Sequence, residues 1–179
     1  MRSFRSVLAL FAVAGLTGCV PLEVAKLDPR PNVALVQVSP KSLVLRMAPD
    51  VAKDFSIHDK ETDLDLLEVH QWRDTLAGGF TNAFAGQFKS LQKGDTADLV
   101  LEIRRAQVAI APAANSGKRS TIAIQLTYQA RLLNGDGAVM KVAAATVASK
   151  RSTDERAEVP ELVKSAVETM FEDLSTKLF

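Results

Sequence analysis

The apolar positions along the chain change period from one segment to the next, and each period predicts an element. The clearest lies at the C-terminal end. Leu162, Val163, Ala166, Val167, Met170, Phe171, Leu174 and Leu178 fall on one side of a helix, with Glu161, Lys164, Glu168, Glu172, Asp173 and Lys177 on the other. Pro160 suits a first turn, so a helix is expected over 160–177. Upstream, strict alternation takes over. Ile122, Ile124, Leu126, Tyr128, Ala130 and Leu132 share one face of a strand over 120–133, and Gln125, Thr127, Gln129 and Arg131 share the other. Asn134-Gly135-Asp136-Gly137 is a hairpin turn that returns the chain into an alanine-rich strand over 138–149. The preceding strand, 98–111, changes parity: Leu99, Leu101 and Ile103 face one way, then Ala106, Val108 and Ile110 follow after a slip of one residue. That slip falls at Arg104-Arg105 and is what a β-bulge produces.

The first half is less regular. Residues 32–38 carry Val33, Leu35, Val36 and Val38 and are expected as an interior strand; 42–47 form a second strand after Pro40. Residues 48–66 are polar and rich in acid (Asp50, Asp54, Asp59, Glu61, Asp63, Asp65) and read as a loop. A helix is expected from about 66–68 to 89, with an apolar stripe of Trp72, Leu76, Phe80, Phe84 and Phe88. Gly78-Gly79 weakens it by about 1 kcal/mol per glycine relative to alanine, which points to a close backbone contact or a kink. The predicted order is ββαβββα, a two-layer α+β sandwich whose mainly antiparallel sheet is packed by two amphipathic helices.

Before this domain stands an export signal. Arg2 and Arg5 open it, Val7 to Gly15 form a short apolar run, and small residues lead to Cys19. The apolar run is too short for a permanent span, which needs roughly 20 residues. Leu16-Thr17-Gly18-Cys19 resembles the lipobox of bacterial lipoproteins. The resemblance implies a thioether-linked diacylglyceryl group on Cys19, cleavage between Gly18 and Cys19, and acylation of the new amine. Several acyl chains at about 0.8 kcal/mol per buried methylene anchor stably. The competing readings are an ordinary signal peptide with an incidental cysteine and a buried N-terminal helix. Val20, rather than aspartate, after the cysteine implies by the same resemblance an outer-membrane lipoprotein facing the periplasm. The expected organisation is therefore a signal over 1–18, a spacer over 19–31 bearing Pro21, Pro29 and Pro31, and one periplasmic domain over 32–179.

Charge and cysteine content narrow the functional classes. Loss of Arg2 and Arg5 leaves 20 basic against 21 acidic residues, which gives no reason to expect nucleic acid or a polybasic membrane patch. Cys19 is the only cysteine, so no internal disulfide forms. His58 and His70 flank the acidic stretch, yet no close histidine pair of metal-site spacing exists, and a solvated acidic loop is the simpler reading. No G-x-S-x-G elbow is present. Gly117-Lys118-Arg119 lacks the spacing of a phosphate loop and reads as a basic loop tip. Neither a catalytic residue, a metal nor a cofactor is expected.

The stretches 98–103, 132–137 and the final helix together resemble a group of Gram-negative envelope lipoproteins: YajG-like lipoproteins, auxiliary lipoproteins of envelope ABC transporters, and domains like the N-terminal domain of TolB. Such proteins are mostly accessory or assembly factors. The resemblance implies a non-enzymatic, membrane-anchored subunit that binds a protein partner, with a polar-faced sheet and an edge strand available for strand addition. Two alternatives stand beside it. A carrier of lipid or another hydrophobic ligand would hold it between helix and sheet in a groove lined by Trp72, Leu76, Phe80 and Phe84, although aromatics at this spacing also suit a core. A cell-wall hydrolase would join His58 or His70 to an acid and a nucleophile.

Overall fold

The computed structural model describes residues 21–92, 94, 97–111, 121–153 and 155–179. The signal segment with Gly18 and Cys19, and the loop tip at 117–120, lie outside the described residues. The elements follow in the order β1 (Leu22–Val24), β2 (Ser39–Met47), β3 (Phe55–Asp59), β4 (Leu64–Val69), α1 (Trp72–Phe84), β5 (Phe88–Gln92), β6 (Leu99–Ile110), β7 (Ile124–Asn134), β8 (Val139–Ala148) and, after a short 3-10 turn at Arg156–Glu158, α2 (Val159–Leu178).

The alternating segments of the second half pair as their pattern predicts. β6 and β7 run antiparallel from Leu99↔Asn134 to Ile110↔Ile124, and β7 pairs antiparallel with β8. The turn between β7 and β8 is closed by the Gly137 amide on the Asn134 carbonyl at 2.9 Å and the Ala138 amide on Asn134 Oδ1 at 2.8 Å. Gly137 has φ of 84°, a left-handed geometry that favours glycine. The parity slip is also real: Ile103 pairs with Ala130 and Arg105 with Gln129, so Arg104 is the extra residue of a bulge.

β2 joins this meander on its far side, parallel to both β6 and β5, giving the order β5-β2-β6-β7-β8. A second, three-stranded sheet has the order β1-β4-β3. One face of the larger sheet is covered by α2, whose Leu162, Val163, Ala166, Val167, Met170, Phe171 and Leu174 are fully buried with Leu101, Ile103, Ile124 and Leu126. Each of these side chains larger than alanine contributes roughly 1.5–3 kcal/mol of burial free energy. Alanines on β8 admit the helix closely, and Ala143 is buried. The Gly78-Gly79 signal resolves at Gly79, where an added Cβ would lie 2.7 Å from the Phe171 ring and 3.0 Å from Pro29. The two-layer α+β sandwich therefore stands, with three parallel strand pairings beside the antiparallel meander.

The first half departs from the predicted order. Residues 32–38 are not a strand, and Val36 and Val38 are exposed at 101% and 65%. Residues 25–38 instead cross both helices as an irregular strap. The Leu27 amide donates to Thr75 Oγ1 at 3.0 Å, Asn82 Nδ2 to the Pro29 carbonyl at 2.8 Å, the Arg30 amide to Glu168 at 2.9 Å, and the Leu35 amide to Gln87 Oε1 at 3.1 Å. The expected spacer is thus built into the domain from Leu22 onward: β1 pairs with β4 and Leu27 is buried. The expected acidic loop contains the hairpin of β3 and β4. The expected helix over 66–89 is shorter, because Leu66 and Leu67 belong to β4 and Phe88 to β5. Ala85 and Gly86, with φ of −59° and +78°, form a type II turn closed by the Gln87 amide on the Phe84 carbonyl at 3.0 Å, and this ends α1.

Candidate functional site

The side chains proposed for a ligand groove serve as core. Trp72, Leu76, Phe80 and Phe84 are all buried, and none lines the hollows described below. The Trp72 indole N–H donates to the Ala106 carbonyl at 3.3 Å, and its ring meets Phe55 edge-on with centroids 4.8 Å apart. Phe84 packs edge-on against Phe88, Phe171 and Phe179, which explains why the stripe continues past the end of the helix. Helical spacing here reports packing into the core, Trp72 against Phe55 and Phe84 against Phe171 of α2.

Each histidine is paired with acidic neighbours. His58 Nδ1 is 3.0 Å from Asp65 and Nε2 is 3.3 Å from Asp63, at the exposed tip of the β3–β4 hairpin. His70 Nδ1 lies 3.9 Å from Glu68. Among the described residues, no group of three or more His, Cys, Asp or Glu side chains is arranged to hold a metal ion.

Two surface features stand out on physical grounds. The first is an open hollow of about 800 Å³ at one end of the sandwich, where Leu35, Phe88, Leu99, Leu132, Leu178 and Phe179 form an apolar lining and Lys41 and Lys141 add charge. Sequence reasoning missed it because its walls come from the strap, β2, β5, β6, β7, β8 and the end of α2, none with an unusual pattern of its own. The second is β8, which the sheet order places at an edge. Among its ten residues Lys141 is the sole charge, and none is proline. Val139, Met140 and Val142 are exposed at 50%, 51% and 65%. A bulge between Leu132 and Leu133 makes Met140 the unpaired residue of the strand. Edge strands are ordinarily guarded by charges, prolines or brevity, and β8 has few of these defences.

Polar contacts hold the frame around both features. The Ser42 amide and hydroxyl each donate to Asp98 Oδ2 at 2.8 Å, while the Asp98 amide donates back to Ser42 Oγ at 3.0 Å, clamping the starts of β2 and β6. These bonds hold the Asp98 carboxyl below the usual aspartate value. The Tyr128 hydroxyl donates to Asp173, which is also paired with Lys177 at 2.7 Å, and so ties β7 to α2. Burial, reinforced by that carboxylate, pushes the phenol well above its usual value and keeps it a donor.

These observations define a two-layer α+β domain with one open sheet face, an unguarded edge strand and an apolar end hollow. No protein-family model and no curated protein matches the sequence. Solved structures do share the fold. A Xanthomonas campestris protein of the family designated DUF330 aligns over 87% of this chain and 92% of its own, with a TM-score of 0.57 and 19% identity. An uncharacterized protein aligns over 85% of this chain and 97% of its own at a TM-score of 0.50 and 12% identity. A minor lipoprotein from Acinetobacter baumannii aligns over 79% of this chain and 92% of its own, at 0.47 and 14%. At these identities the likeness to the first two concerns the fold alone. Among the described residues no helix is long and apolar enough to cross a membrane.

Proposed function

We propose that this protein is a lipoprotein of the Gram-negative envelope, acylated at Cys19 and held on the periplasmic face of the outer membrane, where it acts without catalysis as an accessory subunit docking a protein partner along β8. The observation that carries the docking role is the long, nearly uncharged edge strand with Val139, Met140 and Val142 exposed. An extended segment of the partner adds to such an edge through main-chain hydrogen bonds, and the exposed side chains select it. The lipobox at Leu16-Thr17-Gly18-Cys19 supports the anchor.

The test has two parts. With Cys19→Ser, labelled palmitate incorporation and outer-membrane fractionation are both lost; retention of both rejects the anchor. With a photo-crosslinking residue at Val142, one envelope protein is captured that a probe at Glu161, on the outer side of α2, does not capture. Equal capture at both positions, or none, rejects the docking edge.

The apolar hollow at Phe88 and Phe179 supports the second reading, a carrier of a hydrophobic ligand, at a different place from the Trp72 stripe. Its volume lies within the usual range for small-molecule sites, about 300–1,000 Å³. Lipid extracted from the purified protein, and lost in Leu132→Lys, would favour that reading over the docking edge.

A further inference from the structure

The bulge in β6 does more than bend the strand. Ile103 and Ala106 both pair with buried, helix-facing partners on β7, Ala130 and Tyr128. The two residues between them, Arg104 and Arg105, therefore stand side by side on the opposite, open face of the sheet, where regular alternation would have separated them. Arg131 of β7 joins them. Together with Gln107, Gln129 and Asp50 they line an open hollow of about 620 Å³ floored by small side chains. Within the described residues the guanidinium groups of Arg104 and Arg131 have neither a hydrogen bond nor an ion pair. Glu102 stands opposite Arg131 in the ladder without pairing with it, and Arg105 is steadied by Gln107. Guanidinium stays charged at any physiological pH, so the open face gathers three cations beside two carboxylates, Asp50 in the lining and Glu102 opposite Arg131, and leaves two of the guanidinium forks unfilled.

We propose that this hollow is a binding site for a phosphate-bearing anion held by Arg104, Arg105 and Arg131. A carboxylate offers two oxygens and one charge, which one guanidinium satisfies. A tetrahedral phosphate offers three oxygens, matching three donors converging from two strands, and guanidinium forks suit it geometrically. The amides of Gln107 and Gln129 add neutral donors at the rim. The hollow is larger than inorganic phosphate requires and suits a phosphate carried on an organic body, with exposed Val142 as an apolar wall. That body is either a soluble phosphate ester or a lipid headgroup.

Calorimetric titration distinguishes the sources. Full-length protein in an uncharged detergent is titrated with glycerol 3-phosphate, then with detergent micelles doped with phosphatidylglycerol, each against undoped controls. Saturable binding of glycerol 3-phosphate assigns a soluble ester, and binding of doped micelles alone assigns a headgroup. In either case Arg104→Gln with Arg131→Gln weakens binding by at least about tenfold. The corresponding double lysine variant retains part of it, and far-UV circular dichroism is unchanged in both. Failure of both phosphate probes to saturate overturns the proposal, as does undiminished binding by the glutamine variant. Saturable binding of a polyglutamate peptide where the phosphate probes fail also overturns it and gives the face to an acidic protein segment.

Discussion

The same five strands make both faces of the larger sheet, and the faces have opposite characters. On the helix side Leu101, Ile103, Ile124, Leu126 and Tyr128 are buried under α2. On the open side Arg105, Gln107, Gln129 and Thr146 meet solvent, with Arg104, Thr127 and Arg131 half-buried among them. The main core thus lies on one face; on the other, Val44, Val100 and Leu133 form a small separate cluster, and the region around Arg104 and Arg131 is free to carry recognition. Alternation with period two is what permits the division, since a single strand writes a different text on each side.

The most damaging change is expected on the closed side. Phe171→Ala removes a ring packed against Phe84 and over Gly79, and should cost about 3–5 kcal/mol in urea unfolding because the surrounding helices cannot collapse fully into the space. Gly79→Ala places a methyl 2.7 Å from that ring. Overpacking of about 1–3 kcal/mol outweighs the gain of about 1 kcal/mol in helix propensity. Combining it with Phe171→Leu should recover part of the loss, which independent sites would not do.

A polar counterpart lies at Arg73. Its guanidinium donates to the carbonyls of Ala48 at 3.2 Å, Pro49 at 2.9 Å and Val51 at 2.6 Å, binding the turn after β2 to α1. Arg73→Met should cost roughly 1–3 kcal/mol by leaving those carbonyls without their donor.

Acid should have a smaller, directional effect. The carboxyls of Asp98, through Ser42, and Asp28, through Arg30, sit below the ordinary value of 3.8 in the folded state. Between the lowered and ordinary values the unfolded chain binds more protons, so their stabilisation is complete above pH 3.8 and disappears as pH falls through the folded values. Thermal melts of Asp98→Asn should therefore show a shallower fall on acidification than the parent.

The smallest effect belongs to the open face: Arg104→Gln with Arg131→Gln should change unfolding free energy by no more than about 0.5 kcal/mol. A large loss there would erase the contrast between the faces.

Legibility in the sequence follows the same physics. The meander and α2 were readable because their buried faces recur over ten or more residues, and even the Arg104-Arg105 bulge was marked by a parity change. Residues 32–38 misled because Val33, Leu35, Val36 and Val38 have the composition of a strand, yet the backbone there bonds to side chains such as Gln87. Phe88 misled for a geometric reason. A spacing of four from Phe84 keeps a residue on one side of a helix and also on one side of a strand, so the stripe could not reveal the change of element. Gly86 was the available signal, as the residue suited to the turn that ends α1. The β3–β4 hairpin was obscured by acidic side chains that mask the alternation of Phe55 and Ile57. The surface hollows were unreadable because each draws its walls from residues distant in sequence.

Incorporation of Leu22–Val24 into a sheet bears on how near the bilayer the domain would ride. A free linker from Cys19 to residue 32 would reach about 45 Å when extended, whereas the stretch from Cys19 to Leu22 reaches only about 10 Å. Were Cys19 acylated as proposed, the mooring would be short: the smaller sheet would lie almost at headgroup level, and a partner would have to come to the membrane surface to meet it.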